Sequence, residues 1–230
     1  MKSFDINIDQ GSLVSLILIL LVFVPMLLCV AFMTIIERKA MGSMQRRIGP
    51  NVVGYYGVLQ PFADALKLVV KEQIIPAQSN KALFFLAPMI SLVFSLLGWA
   101  TIPFGSGMAI TDISLGMLFS LAVSSIGVYG ALFAGWAANS KYAFLGSLRS
   151  TAQMVSYELI FSTCVAAVIL LAGSLNFTTI VEAQTSIWFI VPLFPLFIMY
   201  LISALAELNR TPFDLPEAES ELVSGFMTEH

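Results

Sequence analysis

Five long stretches of the chain carry almost no charge, and nothing else in the sequence constrains its fold so strongly. There are 27 uncharged residues between Asp9 and Glu37, 30 between Lys81 and Asp112, 28 between Asp112 and Lys141, and 24 between Glu182 and Glu207. Arg149 to Glu182 encloses 32, interrupted only by Glu158. A bilayer core about 30 Å thick is crossed by roughly 20 apolar residues of helix. None of the runs shows the period-two alternation of a membrane barrel strand. They predict five spanning helices, near 12–36, 82–103, 114–138, 152–173 and 187–206. Composition points the same way: only 11% of the 230 residues are charged, against about 25% in soluble domains. A soluble globule and a disordered chain are both excluded. The expected fold is a single all-α integral membrane domain, residues 1–230.

Proline falls inside three spans, as Pro25, Pro88, and Pro192 with Pro195. Spanning helices tolerate it where neighbours re-satisfy the freed carbonyls. In the third span, Gly127/Ala131/Gly135 and Gly116/Ser120/Ser124 recur at four-residue spacing, which favours close helix packing. Trp99, Trp136 and Trp188 fall near span ends, as interface anchors do.

Basic residues alternate between loops. The first loop, 37–81, holds Arg38, Lys39, Arg46, Arg47, Lys67, Lys71 and Lys81. The third holds Lys141 and Arg149, and the tail after the fifth span holds Arg210; the second and fourth hold none. Only Lys2 lies on the other side. The positive-inside rule places the basic loops inside and the N-terminus outside.

Seventeen of the 25 charges lie in 37–81 and 207–229, both on the inside. Within the first segment, residues 57–73 predict an amphipathic surface helix. Val58, Leu59, Phe62, Leu66, Val69 and Val70 share one face, with Gln60, Asp64, Lys67 and Lys71 elsewhere. Such a helix either packs beneath the bundle or walls the mouth of a site for an amphipathic, lipid-borne ligand. The basic cluster just upstream suits lipid head groups or acidic partner surfaces. The second segment is an acidic loop with Glu207, Asp214, Glu217, Glu219, Glu221 and Glu229 against Arg210. Clustered carboxylates repel, so a partly desolvated member holds its proton more tightly. Glu158 lies about two turns into the predicted fourth span, roughly 10 Å deep at 1.5 Å per residue. An ionisable group there is costly and marks a functional site. Together these residues suggest a proton path; the alternatives are a solvated acidic loop and a Glu158 that serves an interhelical salt bridge or hydrogen bond.

The sequence lacks a phosphate-binding glycine loop, a dinucleotide fingerprint and a cysteine cluster, and its sole histidine is His230. No bound nucleotide, flavin, iron–sulfur cluster, metal or nucleic acid is expected in this chain.

Five segments carry a resemblance: Ile36-Glu37-Arg38-Lys39; Gln45-Arg46-Arg47-Ile48-Gly49-Pro50-Asn51; Leu59 to Leu68 (LQPFADALKL); Ser147 to Glu158 (SLRSTAQMVSYE); and Glu207 to Leu222 (ELNRTPFDLPEAESEL). In this order and spacing the chain resembles the subunit 1 family of respiratory complex I, NADH:ubiquinone oxidoreductase, in its mitochondrial form. The resemblance implies a membrane-arm subunit that helps form the ubiquinone channel and the carboxylate path coupling quinone reduction to proton translocation. It implies a quinone-channel region at Arg38, Phe62, Asp64, Ala65, Lys67 and Arg210. It implies a proton path through Glu158, Glu207, Asp214, Glu217, Glu219, Glu221 and Glu229. Ubiquinone would be substrate, with NADH, FMN and iron–sulfur clusters bound by other subunits. Partners would be membrane-arm subunits, quinone-module subunits of the hydrophilic arm, and lipids. The location would be the mitochondrial inner membrane, or the plasma membrane of a bacterium, with the charged loops on the matrix side. Members usually have eight spans, so five spans correspond to the N-terminal two-thirds of such a fold. The remainder would lie on a longer form of this chain or on a second polypeptide. A hydrogenase membrane anchor and a stand-alone proton transporter are the competing readings; the first-loop motifs argue against the former, and the lack of inverted repeats against the latter.

Overall fold

The structure, a computed structural model, describes residues 12–105, 109–210 and 212–213. All regular elements among them are helices, and they group into two compact units, residues 1–74 and 75–230.

The first unit holds α1 (Ser12–Met44) and α2 (Gln60–Val70). α1 runs eight residues beyond its predicted span, because no proline intervenes between Ile36 and Met44. It ends with Arg46 in the left-handed region, and the Arg47 N–H bonds the Gly42 carbonyl at 2.8 Å. That 6→1 closure satisfies a terminal carbonyl that the helix leaves open. The connection to α2 turns at Gly57, φ +76°, where a β-carbon would collide with the Pro50 carbonyl. Pro61 sits in the first turn of α2, where its missing N–H costs nothing. The amphipathic helix is therefore present, trimmed to 60–70. Beyond Phe62 its apolar face is uncovered within this unit: Leu66 is 66% exposed and Val69 83%.

The second unit holds α3 (Lys81–Gly98), α4 (Gly116–Ala137), α5 (Lys141–Ala172), α6 (Phe177–Ala183) and α7 (Phe194–Glu207). α3 packs on α4, α4 on α5, and α5 on α7. Small residues set these approaches. A β-carbon at Gly130 would strike Ser91 of α3, and one at Gly135 would strike Ser147 of α5. Of the predicted stripe, Gly135 makes such an approach, whereas Gly127 has open space around it. Gly130, which lies off that stripe, makes the α3 contact.

Two boundaries differ from expectation. α5 begins at Lys141, eleven residues before the predicted span, so Lys141 and Arg149 are helical rather than in a loop. Hydropathy reports where lipid is preferred, and the helix extends back beyond that limit to its N-cap at Ser140. Its end falls where expected, at Gly173, φ +68°, whose N–H caps the Ile169 carbonyl at 2.8 Å. α7 starts at Phe194 rather than 187, because Pro192 and Pro195 remove donors and disfavour helix just before them. Among the described residues four helices are long and apolar enough to cross a membrane, while α7, at 14 residues, is a shorter apolar helix. Asp112 accepts hydrogen bonds from Asn176 Nδ2 (2.7 Å) and Thr178 Oγ1 (3.2 Å) at the start of α6.

Candidate functional site

Within the second unit, α4 holds two carboxylates on adjacent serines. Ser124 Oγ donates to Glu207 Oε1 at 2.7 Å, and Ser125 Oγ donates to Glu158 Oε1. Glu158 comes from α5 and Glu207 from the last turn of α7. Glu158 is half-buried and lies 17 residues after the start of α5, about 26 Å along that helix at 1.5 Å per residue.

The end of α7 is tied to α5 by Gln153. Its Nε2 lies 2.8 Å from the Ala206 carbonyl, 3.0 Å from Asn209 Oδ1 and 2.8 Å from the Phe213 carbonyl. Two N–H groups serve these three acceptors. Asn209 adopts φ +49°, and the Arg210 N–H closes on the Leu205 carbonyl at 3.3 Å. The Asn209 amide then donates to Ser150 Oγ at 3.0 Å, and the Tyr157 and Phe213 rings meet edge to face at 5.5 Å. Ser150, Gln153 and Tyr157 share one face of α5 at three- and four-residue spacing, so a single helix face docks the chain that leads into the acidic loop. Beyond Glu207 that loop's carboxylates, Asp214, Glu217, Glu219, Glu221 and Glu229, lie outside the described residues.

An apolar cavity of about 660 Å³ opens between α4, α5, α6 and α7. Phe161 and Tyr200 line it with ring centroids 4.9 Å apart, alongside Ser120 and Gln184.

In the first unit, Arg38 pairs with Asp64 at 2.6 Å, and Gln60 donates to the other Asp64 oxygen at 2.9 Å. The Arg38 hydrogen bond, then that of Gln60, holds the Asp64 carboxyl below its ordinary value. Phe62 packs edge to face on Phe32 of α1, centroids 6.1 Å apart. Lys39 Nζ donates to the Tyr56 carbonyl and sits 5.9 Å from the centroid of its ring. Of the residues expected at a quinone channel, Arg38, Phe62 and Asp64 are thus brought to the α1–α2 contact. Ala65 and Lys67 are exposed on α2, and Arg210 belongs to the second unit.

Sequence reasoning assigned no role to Ser125, Gln153 or Asn209, and counted Ser124 only as a small packing residue. Polar residues within or beside apolar runs were their signal, but hydroxyls and amides are cheap enough in a helix to pass without remark. Among the described residues no group of three or more His, Cys, Asp or Glu side chains could hold a metal ion.

The sequence matches the NADH dehydrogenase family over residues 17–230. It is 73% identical over 218 residues to NADH-ubiquinone oxidoreductase chain 1 of Mycosarcoma maydis, an alignment covering 95% of this chain and 66% of that protein. Identity to the chain 1 of Podospora anserina is 63%, covering 95% of this chain and 59% of that one. Identity to the chain 1 of Chondrus crispus is 57%, covering 94% of this chain and 66% of that one. The chain spans just under two-thirds, 66% and 59%, of the two fungal relatives. With nearly its whole length matched, the chain belongs to the NADH dehydrogenase family.

Proposed function

We propose that this chain is a membrane-arm subunit of a proton-pumping NADH:ubiquinone oxidoreductase of the mitochondrial inner membrane. The observation that carries the reading is the convergence of Glu158 and Glu207 on adjacent hydroxyls of α4, in a chain of this family. Carboxyl groups among membrane helices are expensive unless they work. Two of them, brought from different helices to the same segment of α4, suit stepwise proton transfer. Asp214, Glu217, Glu219, Glu221 and Glu229 would continue the path.

The α1–α2 contact suits the mouth of a ubiquinone channel. Ubiquinone has an apolar tail and a polar ring, and α2 offers an uncovered apolar face beside the Arg38–Asp64 pair. Arg38, Phe62, Asp64, Ala65 and Lys67 would line or guard that route. Electrons would arrive from NADH through FMN and iron–sulfur clusters in partner subunits. The N-terminus would lie outside, with the charged loops on the matrix side against the hydrophilic arm.

Glu158→Gln keeps shape and removes the ionisable proton. The assembled complex carrying it should pump protons at least about tenfold more slowly, since a positioned acid–base group contributes 10²–10⁴ to proton transfer. Unaltered NADH-driven pumping in sealed vesicles would overturn the proton-path role.

A further inference from the structure

Ser125 has one hydroxyl proton and two acceptors within reach. Its Oγ bonds Glu158 Oε1, and it lies 3.0 Å from the Leu121 carbonyl one turn earlier on α4. A serine hydroxyl has a single O–H and two lone pairs, so it cannot donate to both acceptors at once. The two alternatives correspond to the two protonation states of Glu158. When Glu158 is ionised it can only accept, and Ser125 donates to it. When Glu158 gains a proton, its own O–H donates to Ser125 Oγ. The serine then turns its proton to the Leu121 carbonyl, the back-bond that helical serines commonly make. One proton is added to the carboxylate, no other bond to hydrogen is broken, and each polar group keeps a partner in both states.

We propose that Ser125 is a positioning residue that keeps the Glu158 carboxyl in one place through a protonation cycle by reversing the direction of their hydrogen bond. This rests on the reading of Glu158 as a proton carrier, and it adds how that carboxyl stays satisfied and oriented whether charged or neutral. A fixed cation could not do this, because arginine and lysine only donate. A backbone N–H could not either. Within this chain the side chain of Ser125 is exposed while Glu158 is half-buried. Glu207 is held by the preceding serine of the same helix.

The test uses the assembled, membrane-embedded complex with Ser125→Ala, Ser125→Cys, Ser125→Thr or Glu158→Gln in this chain. Two quantities are read: protons pumped per NADH oxidised, and the carboxylic C=O stretch in redox-triggered infrared difference spectra. The Glu158 band is identified by its loss in Glu158→Gln. Ser125→Ala should move that band to higher frequency, since the neutral carboxyl loses its acceptor, and should lower pumping several-fold. Ser125→Thr should restore both. If Ser125→Ala fails to assemble, Ser125→Cys carries the test, because a thiol is a weak donor and acceptor of similar shape, and a smaller shift in the same direction is expected. An unmoved band with unchanged pumping in the alanine or cysteine variant overturns the proposal. So does a threonine variant displaced as far as alanine. Normal pumping in Glu158→Gln overturns instead the proton-carrier reading on which the proposal rests.

Discussion

The two units hold their carboxylates in opposite ways. Asp64 is gripped by a permanent cation, Arg38, and by the Gln60 amide, both of which only donate to it. That environment favours the charged form. Glu158 and Glu207 are held by neutral hydroxyls on α4, which can donate or accept and so tolerate either form. The first carboxylate is suited to fixing the position of α2 against α1, and the second pair to changing state. A carboxylate's role therefore follows from the kind of partner beside it rather than from being charged in a membrane protein.

Substitutions should separate the two units. Glu158→Gln is expected to have the largest functional effect, with pumping reduced at least about tenfold while assembly persists; Asp64→Asn measured beside it should leave the pumping stoichiometry unchanged. Equal losses in stoichiometry from both would erase the distinction. Next comes Gly135→Val, which drives a side chain into Ser147 and the Ala143 carbonyl. Overpacking of this kind costs about 1–3 kcal/mol, and reduced assembly on native gels is expected. Gln153→Ala should cost about 1–3 kcal/mol by leaving the Ala206 and Phe213 carbonyls short of a donor. Faster proteolytic cleavage just after α7 would report it, and an unchanged cleavage rate would count against the tie. A bulky residue at Ala65 should slow ubiquinone reduction more than reduction of a soluble artificial acceptor. Similar losses with both acceptors would move the quinone route away from α2.

The smallest effect concerns pH. Because the folded-state pKa of Asp64 is lowered, its contribution to α1–α2 docking is complete above the unfolded value. It is lost only as pH falls through the folded one. Protease access to the 45–59 loop should therefore stay constant between about pH 5 and pH 8. A change in that window would show that Asp64 does not govern the docking.

Much of this was legible in the linear sequence. The apolar runs located α1, α3, α4 and α5, and the 57–73 periodicity located α2. Glu158 stood out because one carboxylate in a 32-residue apolar run is an anomaly. Its environment was not legible. Ser124 and Ser125 lie 33 or more residues before their carboxylate partners, and only the packing of α4 against α5 brings the second pair together. The long start of α5 was hidden because Lys141 and Arg149 signal the end of an apolar run, whereas helix continuity depends on the absence of a breaker.

By itself the sequence determined which segments prefer lipid and where a charge stands at high cost. Those properties add along the chain and are measured against a bilayer of known thickness. The tertiary structure alone decided which hydroxyl meets which carboxylate, which face of α5 receives the end of α7, and which glycine allows each helix to approach. Such pairings depend on the rotation of each helix about its axis, which is settled by side chains meeting across helices.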